Sequence, residues 1–173
     1  MSWKVDPANS RIGFSVQHFK FTTVRGHFES FAGTLEMDEG NPPASFVEGT
    51  VETTSVKTGI SPRDSNLRSK TFFDASRFPR MSFRSTRIEA LPGGAFKVYG
   101  ELTARDITRE VVFDVANRGE MPAGGGGRRW AFEASTVLNR KDFNLQWHPL
   151  VETGGLAVGD EVKGTIEIQF VEE

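Results

Sequence analysis

Along most of this chain apolar residues recur at every second position, the period of a strand with one face buried and the other wet. Ile12, Phe14, Val16 and His18 share one parity, while Arg11, Ser15 and Gln17 take the other. Phe31, Leu35 and Met37 repeat the pattern, and the change of phase between Phe28 and Phe31 predicts a bulge near Glu29-Ser30. Val47 and Val51 continue it across Gly49, and Met81 and Phe83 follow. Then come Phe96, Val98, Gly100 and Leu102, and after them Val111, Phe113 and Val115. The longest run is Trp130, Phe132, Ala134, Thr136 and Leu138, and the chain closes on Val162, Gly164, Ile166, Ile168 and Phe170.

About eight strands result, and all 8 prolines fall outside the alternations, as strands require. Short connections such as Leu91-Pro92-Gly93-Gly94 make neighbours antiparallel. So many one-sided strands shed their exposed edges most simply by closing, which predicts an all-β, eight-stranded antiparallel barrel rather than a sandwich. A barrel of this size holds packed side chains or one small ligand.

Two segments break the rhythm. Ser61 to Lys70 has Pro62 at an early helical position and Leu67 as its apolar anchor, and is predicted to form a short helix. Arg140 to Pro149 is polar and aromatic and reads as a loop; either segment could cap a barrel mouth. The run Gly124 to Gly127 is too featureless for a phosphate loop and is expected to be a flexible hairpin tip.

Length agrees with one domain over 1–173, and 37% apolar residues, 15 Phe among them, supply a core. Twenty-one basic and 23 acidic residues give a net charge of -2, so no global field draws the chain toward nucleic acid or anionic membrane. Arg128-Arg129-Trp130 interleaves basic and aromatic residues, but at that charge no nucleic-acid groove is expected. With no cysteine there are no disulfides, thiolate metal sites or thiol nucleophiles. The opening Met1-Ser2-Trp3-Lys4 lacks the apolar core of an export signal, and no stretch is long enough for a membrane span; a cytoplasmic location is expected.

Candidate chemistry is sparse. His18, His27 and His148 stand in no metal-ligand spacing, so no metal and no cofactor are expected. There is no nucleophile elbow, nucleotide fingerprint or P-loop, and nothing brings Asp64 and Asp142 together as an acid–base pair; a non-catalytic protein is expected. The inward face is more informative. Large aromatic residues alternate there with Gly33, Gly49, Gly100, Ala134 and Gly164, a pattern that fits a packed core or an elongated apolar void equally well. Arg63, Arg68, Arg105, Arg109 and Arg140 lie between strands or at their ends, where barrel rims are made.

These residues resemble those of a known family. Trp3-x-x-Asp6, Ser10 and Phe14-x-Val16-x-His18, then Gly26-x-Phe28-x-x-Phe31-x-Gly33, are similar to the opening strands of the YceI-like family, lipocalin-like barrels described as polyisoprenoid-binding proteins. The most specific block is Ser55-Val56-Lys57-Thr58-Gly59, Arg63-Asp64-x-x-Leu67-Arg68-Ser69-x-x-Phe72-Phe73-Asp74 and Phe78-Pro79-x-Met81-x-Phe83-x-Ser85. Gly100-x-Leu102-Thr103, Thr108-Arg109, Asn139-Arg140 with Asp142-Phe143, and Val158-Gly159-Asp160 complete a match over nearly the whole chain. Asp106 and Asn144 stand where the family usually has Gly; both residue types tolerate left-handed backbone, so the turns are expected to survive.

The resemblance implies a barrel whose interior takes the tail of an isoprenoid, isoprenoid quinone or similar amphiphile, for storage, transport or sequestration, with dimers as a candidate assembly. Tail contacts are assigned to Phe14, Val16, Phe83, Phe113, Trp130, Phe132 and Ile166, and head-group contacts to His18, Arg63, Asp64, Arg140 and Asp142. Two rival readings are a filled barrel serving as a stress-response or interaction scaffold, and a hydrolase acting on a lipid diphosphate.

Overall fold

The structure, a computed structural model, describes residues 1–18, 22–122, 127–146 and 158–173. The described strands are β1 (Ser2–Val5), β2 (Arg11–His18), β3 (Thr22–Phe28), β4 (Phe31–Glu36), β5 (Phe46–Glu52) and β6 (Val56–Lys57), followed by β7 (Arg80–Ala90), β8 (Phe96–Ala104), β9 (Ile107–Met121), β10 (Arg129–Asn139) and β11 (Val158–Glu172). A single described α-helix, α1 (Ser61–Arg68), lies between β6 and β7, where Pro62 and Leu67 predicted it. The expected flexible tip at Gly124 to Gly127 falls, except for Gly127, outside the described residues.

All pairings are antiparallel, and the sheet closes. Its order is β1-β4-β5-β7-β8-β9-β10-β11, and β11 returns to β1 through Trp3 opposite Glu172 and Val5 opposite Phe170. Three staves of this eight-stave ring are broken strands. β11 leaves β1 to pair with β2, which pairs with β3, which pairs with β6, so β1/β2, β3/β4 and β5/β6 each run the length of the wall with one interruption. The break between β3 and β4 lies at Glu29-Ser30, where the change of phase predicts a bulge. Between β1 and β2 the chain makes a short turn at Pro7–Asn9, for which the Asp6 carboxylate accepts from the Ala8 N–H at 3.1 Å.

Four residues are too short for a period-two signal, so β1 is not apparent from the alternation, yet it completes the ring. Trp3 is fully buried, edge-to-face with Trp130 at 6.1 Å, while Val5 is buried beside it. A second adjustment keeps β7 amphipathic along its length. The register with β8 slips between Ser85 and Arg87, so that Ser85 and Ile88, three residues apart, are both buried.

The β4–β5, β7–β8 and β9–β10 connections and both chain ends gather at one end of the barrel. The helix, segment 69–79, the β8–β9 turn and residues 140–146 gather at the other. Asn144 takes the left-handed backbone expected of it, φ 55°. In the β8–β9 turn it is Arg105, φ 56°, rather than Asp106, that does so.

Candidate functional site

Alternate residues of every stave face a common interior, and that interior is not filled. A cavity of about 580 Å³ runs between the two ends of the barrel, within the roughly 300–1,000 Å³ of small-molecule sites. The balance left open by the alternation of large and small residues is thus struck for a void.

At the helical end the cavity has an aromatic floor. Leu67 from α1, Phe72 and Phe73 from the segment after it, and Phe143 and Leu145 from the turn after β10 all line it and are buried. Phe72 and Phe73 meet edge-to-face at 4.8 Å, and Phe73 meets Phe28 of β3 at 5.7 Å. Backbone hydrogen bonds tie the pieces together, Phe73 N–H to Leu67 C=O at 3.0 Å and Gln146 N–H to Thr71 C=O at 2.9 Å. Of this floor the sequence pattern marks only Leu67 as a buried anchor; the adjacent pair Phe72-Phe73, apolar within a polar connection, is the signal that could have marked the rest.

At the other end the lining reaches solvent at Asp38, Glu39 and Asn117, all exposed. Trp130 lines the cavity there, stacks on Phe132 at 6.3 Å and donates from Nε1 to Asn117 Oδ1 at 2.7 Å. Arg128 crosses this rim. It reaches Glu39 at 2.8 Å, Glu120 at 2.7 Å and Glu172 at 3.4 Å, and its guanidinium lies 5.3 Å from the Trp3 ring and 6.0 Å from that of Trp130. Hydrogen bonds from Arg128 hold the Glu120 carboxyl below its usual range. The basic and aromatic interleaving of Arg128-Arg129-Trp130 is therefore engaged internally, with Arg129 paired to Asp6.

All seven residues expected at the tail, Phe14, Val16, Phe83, Phe113, Trp130, Phe132 and Ile166, line the cavity. Phe83 and Phe113 meet edge-to-face at 5.1 Å, and Phe132 meets Phe170 at 6.0 Å. The residues expected at a head group are placed differently. Arg63 and Asp64 do not line the cavity; both close on Thr58, just before the helix. Asp64 accepts from the Thr58 N–H at 2.8 Å and from its hydroxyl, while Arg63 donates to the hydroxyl at 2.8 Å and to the Thr58 carbonyl at 2.9 Å. The carboxylate is spent on the orphan donors of a turn, which is why it can be buried.

Asp142 is exposed and also does not line the cavity. Arg140 does, but its guanidinium is built into the wall, donating to the carbonyls of Leu145 at 2.9 Å and Gly159 at 3.1 Å and lying 3.5 Å from Asp160. His18 ends β2, but its side chain lies outside what the structure describes, as does His148. No group of three or more His, Cys, Asp or Glu side chains that could hold a metal occurs among the described residues.

A model of the YceI-like domain matches residues 3–170, almost the whole chain. The chain belongs to the YceI-like family. Protein YceI of Escherichia coli O157:H7 is 34% identical over 146 residues, covering 83% of this chain and 76% of that protein. The protein plu2095 of Photorhabdus laumondii is 36% identical over 135 residues, 78% of this chain and 70% of its own length. Among solved structures, BcnA of Burkholderia cenocepacia superposes with a TM-score of 0.83 over 95% of this chain and 98% of its own, at 22% identity. A polyisoprenoid binding domain from Saccharophagus degradans, implicated in plant cell wall breakdown, gives 0.71 over 99% of this chain and 98% of its own, at 13% identity. These two likenesses are of fold: the closed YceI-like barrel.

Proposed function

We propose that the chain binds a long-chain amphiphile, such as a polyisoprenoid or isoprenoid quinone, with its tail in the barrel cavity and without turnover. The observation that carries this reading is the cavity itself, about 580 Å³ of apolar and aromatic lining reaching from the buried floor to the exposed rim. Each buried methylene contributes roughly 0.8 kcal/mol. Ten give about 8 kcal/mol, which offsets the lower half of an association cost of about 4–15 kcal/mol, and about twenty offset all of it, so an elongated lumen that buries most of the tail selects long ligands. The similarity to a polyisoprenoid binding domain supports the same class of tail.

The test is organic extraction of the purified, never-denatured protein, with identification of co-purifying molecules by mass spectrometry and a native spectrum for stoichiometry. A long-tailed amphiphile at one per chain is the expected result. Repeated absence of lipid, together with failure to take up added isoprenoid alcohols, would reject the reading. Release of product from an added isoprenoid diphosphate would instead favour the hydrolase.

A further inference from the structure

Two glycines in the barrel wall lie beneath phenylalanine rings. In β3, a Cβ built on Gly26 would come within 2.5 Å of Phe14 Cζ and 3.0 Å of its Cε1. In β8, a Cβ on Gly100 would come within 2.5 Å of Phe83 Cζ and 2.6 Å of its Cε1. Real Cβ atoms do not approach other atoms so closely, so each ring occupies the space that any other residue would fill. Phe14 and Gly26 face each other directly in the β2–β3 register; Phe83 reaches Gly100 diagonally across β7 and β8, from its place opposite Leu102.

Backbone conformation does not call for glycine at either position, because neither is among the glycines with positive φ, which among the described residues are Gly59, Gly93, Gly94, Gly119 and Gly127. What is required is the missing side chain. The other inward glycines differ in what they face: Gly164 would meet the Thr136 methyl at 3.2 Å, and Gly49 the Ala32 carbonyl at 3.1 Å, with no ring involved. Glycine weakens the interior of a strand, so its presence under both rings needs a compensating use.

We infer that Gly26 and Gly100 set the girth of the cavity, by letting the Phe14 and Phe83 rings settle close against the wall so that the lumen admits a methyl-branched chain. This rests on the binding reading above and says which part of the wall selects the tail. Both rings line the cavity. Phe28 flanks Phe14 at 5.7 Å and Phe113 flanks Phe83 at 5.1 Å, while the strand backbone closes the outer side. A ring lifted by a methyl group therefore moves into the lumen, leaving a bore for a straight chain but not for one with a side methyl on every fourth carbon.

The experiment uses the full chain and two alcohols of equal carbon number, geranylgeraniol and straight-chain eicosanol, each competing with a fluorescent naphthylamine probe. Gly26→Ala and Gly100→Ala are each expected to weaken geranylgeraniol by about ten-fold or more, the scale of an overpacked methyl, and eicosanol by no more than about three-fold. Phe14→Leu added to the first and Phe83→Leu added to the second should restore the branched alcohol to within about three-fold of wild type.

The Lys57 carbonyl lies 2.9 Å from the Cβ position of Gly26, and the Arg84 carbonyl lies nearer to that of Gly100 than the Phe83 ring does, so backbone approach is the competing explanation of any loss in the alanine variants. Equal loss of both alcohols, or no rescue by leucine, would assign the glycines to that backbone approach and overturn the inference. A measurement without ligand or alanine stands beside this. The α-protons of Gly26 and Gly100 should be displaced from ordinary values by the ring currents of Phe14 and Phe83 in wild type and return to them in Phe14→Leu and Phe83→Leu respectively. Unshifted α-protons in wild type would refute the geometry. Shifted α-protons in a protein that takes up neither alcohol would overturn the binding reading, and tail selection by these glycines with it.

Discussion

Replacing Asp64 with Ala separates a structural role from a role in ligand binding. The carboxylate is 6% exposed and accepts two hydrogen bonds from Thr58, one from its backbone N–H and one from its hydroxyl. Net contributions of hydrogen bonds to a charged group are about 1.5–3 kcal/mol each, and a buried donor left without a partner adds its own desolvation cost. Thr58 is only half-buried, so water can accept its hydroxyl proton; the two losses do not sum fully, and about 2–3 kcal/mol is expected. For a chain of this length each kcal/mol moves the Tm by roughly 2–4 °C, so Asp64→Ala should melt about 5–10 °C lower by far-UV circular dichroism. Asp64→Asn, which keeps one carbonyl acceptor, should lose about half as much. Affinity for amphiphiles with anionic, neutral or cationic heads, measured by fluorescence titration well below both melting temperatures, should stay within about two-fold of wild type, since this side chain does not line the cavity. An unchanged Tm with a selective loss for one class of head group would refute the reasoning and return Asp64 to the ligand.

Trp130→Asp places a charge in the lining and removes the hydrogen bond to Asn117; it should abolish uptake of a fluorescent fatty probe with the far-UV spectrum kept, and normal uptake would remove Trp130 from the binding surface. Leu67→Ala deletes a side chain 1% exposed in the floor and should cost about 2.7–5 kcal/mol in urea denaturation, a loss under 1 kcal/mol showing that the helix is not a packed part of the floor. The Asp6 carboxyl is held below its usual range, chiefly by the hydrogen bond from Asn9 and then by Arg129. Its folded value lies below its unfolded one, so its contribution is present above about pH 4 and is lost as the pH falls through the folded value. The stability gap between wild type and Asp6→Ala should accordingly narrow below pH 4, and a gap independent of pH would contradict the ionic part of this contact.

One-sided burial and the approximate number of staves follow from sequence because a period of two assigns each side chain to a face without reference to any distant residue. That reasoning placed Phe14, Phe83, Phe113, Trp130, Phe132 and Ile166 inside, and the cavity lining contains all of them. The helix was equally local, with Pro62 to start it and Leu67 to hold it down.

Contacts between residues far apart in the chain are another matter. β1 carries only two inward residues, and its importance comes from strand β11, more than 160 positions away, whose free edge it covers. Whether alternating large and small residues leave a void depends on how the rings settle, and Phe14 and Phe83 settle on glycines of neighbouring strands that no local pattern pairs with them. Charges are the least legible of all. Arg63 and Asp64 have the appearance of ligand-binding residues at a rim, but a buried carboxylate takes whichever donors lie nearest, and the turn at Thr58 supplies them first. The sequence by itself determined which face each side chain takes; tertiary structure alone decided which of those side chains border empty space, because packing is a property of neighbours brought together by the fold.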